Sequence, residues 1–341
     1  NQNFRKKEKS KDNILYNGLI NKEYKNEQEA AKKLFKTDPG NRNFRNTKAK
    51  LKQKLLNNLF FLDYQKSDYT AYQTVYYDLL NQMHQIKILI MEGANCIAIR
   101  KISSIAKTAA EFELYEIALE SLKLIRNEYS RMGKCTPLNI SENDIREIVP
   151  KKSIVDQCED IYYDTLVLMN KSISSCEKIL DDIPKRISKI EKLSKKYKIK
   201  RLDILAQKLK MAYYSVLQDQ TGILKISTYL ENEYLSKDNS KIKVDLHYRE
   251  IAFVKLHALY VLNNTEEGIK YAFNTSDIFK SGHGDWFRFK EYQFLILMKA
   301  GKFHQATNVF RSVRINKNYH KIEDIDRARW TIYRVYLLFV N

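Results

Sequence analysis

The chain has 341 residues, with 60 Lys and Arg against 41 Asp and Glu, a formal net charge of +19 and a pI near 9.5. With only 4 Pro and 9 Gly, it lacks the turn formers that β-sandwiches, propellers and collagen-like chains require. A 44% hydrophobic content that includes 23 Tyr and 15 Phe supplies a sizeable core and excludes a charged disordered chain. No window approaches the ~18 apolar residues of a membrane-spanning helix.

In chain order, apolar residues recur at spacings of three and four, which marks one buried stripe per helix. The stripes are Leu51, Leu55, Leu56 and Leu59; Ile97, Ile102, Ile105 and Ala109; Leu114, Ile117, Leu122 and Ile125; then Leu202, Ile204, Leu205, Leu209 and Tyr213. Breakers at Thr37 to Gly40, Glu92-Gly93, Gly133 to Pro137, Pro150, Asp181 to Pro184, Ser236 to Ser240, Asn263-Asn264, Ser281 to Asp285 and Ala300-Gly301 divide the chain into helices of ordinary length. Strict alternation is confined to Ile242 to Leu246, which leads into the next helix, so the expected fold is all-α. Two regions are expected: an amino-terminal helical segment, 1–66, containing a basic helix, and a helical-repeat region, 67–341, with a candidate break near 133–150.

A short repeat is visible. Gly93 stands five residues before Ala98, and Gly301 five before Ala306, each at the start of a helix whose next contact positions are apolar. The glycine permits a tight turn and the alanine lets the partner helix approach closely. The stretch Ala300-Gly301-Lys302-Phe303-His304-Gln305-Ala306 with Phe310 resembles the second half of a tetratricopeptide repeat, and Tyr115-Glu116-Ile117-Ala118 with Leu122 matches part of the same pattern. The resemblance implies antiparallel helix pairs stacked as a superhelix, with Gly93, Ala98, Tyr115, Ala118, Gly301, Ala306 and Phe310 in packing roles and a concave surface for a protein or peptide partner. The first-helix Trp-x-x-Leu-Gly signature and the closing Pro of that family are missing, so an irregular helical bundle is the alternative. The run from Ile14 to Leu62, with Glu29 to Phe35, is similar to bacterial helical-repeat proteins from which no activity carries over.

The charge is concentrated. Asn41 to Leu62 has six bases and no acid, Pro184 to Arg201 nine bases and one acid, and Tyr292 to Ile322 six bases and no acid. Arg42, Arg45, Lys48, Lys52, Lys189, Lys192, Lys195, Lys196, Arg311 and Arg314 are therefore candidates for an anionic partner, nucleic acid included. Against this, 44 Lys and 16 Arg read as general solvation of helix surfaces, because directed phosphate contacts favour the arginine fork.

Motifs for chemistry are sparse. The four cysteines are never closer than 18 positions, so there is no metal or redox pair, and a reducing cytoplasm is expected. His247 and His257 sit about 80° apart on a helix, a poor geometry for shared metal ligation. In Ser281-Gly282-His283-Gly284-Asp285-Trp286, Asp285 is expected to cap a helix that begins at Trp286. Arg314 and His320 have the Arg-x(4 to 6)-His spacing of HEPN-type helical ribonucleases, a spacing that chance supplies about 0.8 times in such a sequence. The chain reads as a non-enzyme without cofactor or metal, an interaction scaffold first, a nucleic-acid-associated protein second and a helical ribonuclease third.

Overall fold

A computed structural model of the chain describes residues 10–59, 69–169, 180–235, 241 and 243–340. Among them are fifteen α-helices and no strand. The chain divides into two compact units, Asn1–Tyr64 and Gln65–Asn341.

The first unit holds α1 (Lys11–Ile20), α2 (Glu27–Phe35) and α3 (Arg42–Asn58), each packed on the other two. Asn26 begins α2 by accepting the Glu29 amide, and the Glu29 carboxylate accepts the Lys25 amide in return. These two bonds satisfy amides that the first turn of a helix leaves unpaired. The core is Leu15, Ala30, Ala31, Phe44 and Leu51. Lys54 reaches Asp12 of α1, and Lys48 reaches Glu27 of α2. The expected buried stripe holds only at Leu51, because Leu55, Leu56 and Leu59 are 43%, 44% and 50% exposed. Length explains the difference: 17 residues of α3 span about 25 Å, whereas the 10 and 9 residues of α1 and α2 span about 15 Å or less. Among the described residues of this unit, neither α1 nor α2 is long enough to cover the far end of α3.

The second unit holds α4 (Ala71–Met91), α5 (Asn95–Glu111), α6 (Tyr115–Arg131), α7 (Cys135–Met169), α8 (Ile183–Tyr197), α9 (Lys200–Val216), α10 (Gln220–Tyr234), α11 (Tyr248–Val261), α12 (Thr265–Thr275), α13 (Gly284–Lys299), α14 (Phe303–Arg314) and α15 (Asp324–Val340). Successive helices pack against one another as a helical repeat, and alternate ones also meet, α4 with α6, α7 with α9 and α11 with α13. One core runs through α4 to α9 around Ile86, Ile102, Ile105, Ile190 and Leu202. A second, rich in aromatic rings, joins α11 to α15 around Phe289, Phe294 and Trp330. Between them Ile204, Ile226, Leu230 and Ile251 tie α9, α10 and α11 together.

One turn recurs throughout this unit. Gly93, Glu113, Gly133, Gln218, Asn263 and Gly301 all have positive φ. At each, the residue's amide bonds the carbonyl three back and the next amide bonds the carbonyl five back, as in Gly93 N–H to Ile90 and Ala94 N–H to Leu89. This is the Schellman arrangement, which closes a helix on its own last carbonyls and reverses the chain at once. Gly93, Glu113 and Gly133 are 20 residues apart, as are Lys198, also left-handed, and Gln218. The helices α5, α6 and α9 are accordingly 17 residues each.

Glu113 stands out among these turns, because a side chain in the left-handed region costs roughly 1–2 kcal/mol relative to glycine. Its carboxylate accepts the amides of Lys200 and Arg201 at 2.9 and 2.8 Å. Helix α9 has no capping side chain of its own at Ile199, so the turn between α5 and α6 caps a helix 87 residues away. Two further carboxylates tie helices together. Asp203 of α9 accepts the hydroxyls of Tyr229 and Tyr234 of α10. Glu231 of α10 accepts Lys255 and Tyr248 of α11 at 2.7 and 2.8 Å, and Tyr271 of α12 at 3.3 Å.

Two expectations are corrected. Pro150 does not end a helix: α7 runs unbroken for 35 residues through it, and Val155 and Cys158 beyond it are fully buried. The proline removes one backbone bond, and packing of α7 on both α6 and α9 holds the axis. Asp285 does not cap α13, which begins at Gly284, but lies in its first turn 3.5 Å from Arg249. The breaker expected at Ser236 to Ser240 lies outside the described residues.

Three substitutions test this packing. Glu113→Ala removes a charged acceptor of two amides and should cost about 2 kcal/mol in urea unfolding, with faster amide exchange at Lys200 and Arg201. Glu113→Gly should recover about 1 kcal/mol of that loss by relieving the backbone. Ala306 is fully buried on α14, so Ala306→Leu should overpack the α13–α14 contact and cost about 1–3 kcal/mol.

Candidate binding groove

Helix α9 is flanked by two cavities. The first, about 260 Å³, lies beside its amino-terminal half and is lined by Tyr72 of α4, Tyr162 and Tyr163 of α7, Arg201 and Lys208 of α9, and Lys243 and Asp245 ahead of α11. The second, about 530 Å³, lies beside its carboxyl-terminal half and is lined by Tyr162, Lys208, Glu250, Phe253, His257, Arg288 and Tyr292. Tyr162 and Lys208 are walls of both. The two cavities thus follow α9 from Arg201 to Ser215, about 21 Å of helix. An extended chain of about six residues has that length.

The groove is lined mostly by side chains of α7, α9, α11 and α13, joined by Tyr72 of α4 and by Gln220 and Ile223 in the first turn of α10. Its charges are of both signs and unequally committed. The Arg201 guanidinium is held by Glu159 and lies 3.9 Å from Glu116, and the Glu113 carboxylate is held by the α9 amides. Lys208 at the centre, Lys243, Arg288, Asp245 and Glu250 form no salt bridge among the described residues. Arg288 lies over the Phe253 ring at 5.7 Å, and His257 meets Tyr292 edge-on at 5.6 Å. Burial pushes the Tyr72 hydroxyl up to about 12, with Asp245 adding to the effect, and burial likewise raises Tyr162 and Tyr292. These phenols stay protonated and can donate hydrogen bonds at neutral pH. Gln220 brings a buried side-chain oxygen with no donor opposite it.

The structure distributes the residues singled out in the sequence among three settings. Gly93 and Gly301 are at turns with φ of +80° and +70°. Ala98, Ala118 and Ala306 are fully buried, Tyr115 is 6% exposed, and Phe310 is half-buried against Phe294 and Trp330. The basic residues are all exposed. Arg42, Arg45, Lys48 and Lys52 are on α3 of the first unit. Lys189, Lys192, Lys195 and Lys196 are on α8, which packs on α7 and α9, whereas Arg311 and Arg314 are on α14, which packs on α13 and α15. Arg314 donates to the Tyr319 hydroxyl at 3.0 Å and stacks on its ring at 4.8 Å, while His320 is exposed in the following 3-10 turn.

Nearly every groove residue escaped the sequence reading, since Tyr162, Lys208 and Arg288 belong to three helices far apart in the chain. Cys96 and Cys158 are free thiols. Among the described residues no group of three or more His, Cys, Asp or Glu is placed to hold a metal ion, and no helix is long and apolar enough to cross a membrane. No family model, curated protein or solved structure matches this chain.

Proposed function

We propose that the chain is a non-catalytic interaction scaffold with a tetratricopeptide-like helical array, and that it binds an extended segment of a protein partner in the groove along α9. The observation that carries this reading is the continuity of the groove through Tyr162 and Lys208, walls common to both cavities. Its tyrosines and Phe253 offer flat apolar contact with a hydrogen-bonding edge, the combination that anchors binding surfaces. Unpaired charges of both signs select a segment carrying an acidic side chain for Lys208 and Arg288 and a basic one for Asp245 and Glu250. The exposed thiol of Cys96 fits a reducing compartment such as the cytoplasm.

A displayed library of random peptides about twelve residues long, selected on the whole chain, tests this. The selected peptides should bind Lys208→Glu and Tyr162→Ala proteins at least about 10-fold more weakly than the parent by fluorescence anisotropy. Selected peptides that bind both variants as tightly as the parent would place the binding surface elsewhere.

A further inference from the structure

The first unit carries a surface that the groove does not use. Helix α3 has 17 residues and no acidic residue among them. Three of the unit's acids are matched to lysines: Glu29 with Lys33, Glu27 with Lys48, and Asp12 with Lys54. Arg42, Arg45, Lys50 and Lys52 remain exposed, with no salt bridge among the described residues.

The arrangement of these four goes beyond solvation. At ~100° per residue, Arg42, Asn46, Ala49 and Gln53 fall within about 60° of one another, directly opposite Phe44 and Leu51, which face the core. Arg45 borders them. Lys50 and Lys52 lie about 80° to either side of that strip. The strip therefore carries the side chains that read guanine and adenine edges, Arg with Asn and Gln, around a small Ala49 that allows close approach. The lysines stand where the two flanking phosphate strands would run. The amino terminus of α3 has no acid in its first turn, so its backbone dipole adds positive potential at the Arg42 end.

We infer that α3 is a duplex-DNA-binding helix that enters the major groove with Arg42, Arg45, Asn46 and Gln53, with Lys50 and Lys52 on the phosphates. An α-helix fits the ~12 Å major groove of B-form DNA and is excluded from the deep, narrow major groove of A-form RNA. That difference selects DNA over duplex RNA.

The whole chain, titrated against a fluorescent mixed-sequence DNA duplex of about 20 bp at about 100 mM salt, provides the test. The parent should bind with Kd near or below about 1 µM, and the variant combining Arg42→Gln, Arg45→Gln, Lys50→Gln and Lys52→Gln should lose at least about 30-fold. That variant should also flatten the slope of log K against log salt by about 3–4, or roughly 0.9 per phosphate charge lost. All four positions are exposed, so its thermal unfolding should match the parent's. Neutralising Lys189, Lys192, Lys195 and Lys196 on α8 should change DNA affinity less than about twofold, and an RNA duplex of equal length should bind at least about 10-fold more weakly. Absence of DNA binding below about 100 µM, unchanged binding by the α3 variant, or equal affinity for duplex RNA or polyglutamate would each overturn the inference.

Discussion

A single left-handed residue at the end of a helix organises the second unit. Placed after the last helical turn, it folds its own amide and the next one back onto the final carbonyls, which satisfies groups a helix end otherwise leaves bare and leaves the chain no length in which to wander. The following helix must then return alongside the one just finished. Where the spacing is 20 residues, as at Gly93, Glu113 and Gly133, neighbouring helices have equal length and can pack along all of it. Small residues at the contacts, Ala98, Ala118 and Ala306, let the axes approach.

The groove follows α9, with walls from α7 on one side and α11 and α13 on the other, and the turn at Gln218 brings Gln220 and Ile223 of α10 to its far end. The polar ties keep the wall rigid: Glu113 fixes the first turn of α9, Asp203 joins α9 to α10, and Glu231 joins α10 to α11 and α12. Lys255 and Glu231 are 10% and 16% exposed in their side chains, so each would be left as a poorly solvated charge without the other. Such ties specify one arrangement of helices more than they add to stability.

The all-helical fold was legible because periodic apolar stripes and the scarcity of Gly and Pro are local signals. The glycine turns at Gly93 and Gly301 could be read for the same reason. The matching turns at Glu113, Lys198 and Gln218 could not, since nothing in a glutamate, lysine or glutamine announces positive φ; at Glu113 the compensation lies 87 residues away. Leu55, Leu56 and Leu59 show the reverse case. Their spacing is that of a buried face, but burial depends on the length of the helices opposite, which no stripe encodes. The groove was illegible because its walls come from helices that only the folded turns bring together. The basic segments were visible as charge, yet the difference between the paired Lys48 and Lys54 and the unpaired Arg42 and Arg45 depends on contacts with Glu27 and Asp12.

The left-handed turns are tested most directly by exchanging residues between two of them and measuring urea unfolding. An added Cβ at Gly93 meets nothing within 4 Å, so Gly93→Ala reports the backbone alone and should lose about 1–2 kcal/mol. Gln218, at φ +56°, should gain up to about 1 kcal/mol as Gln218→Gly. Opposite signs at these two positions are the result that a shared turn geometry requires. A destabilising Gln218→Gly together with a neutral Gly93→Ala would contradict it.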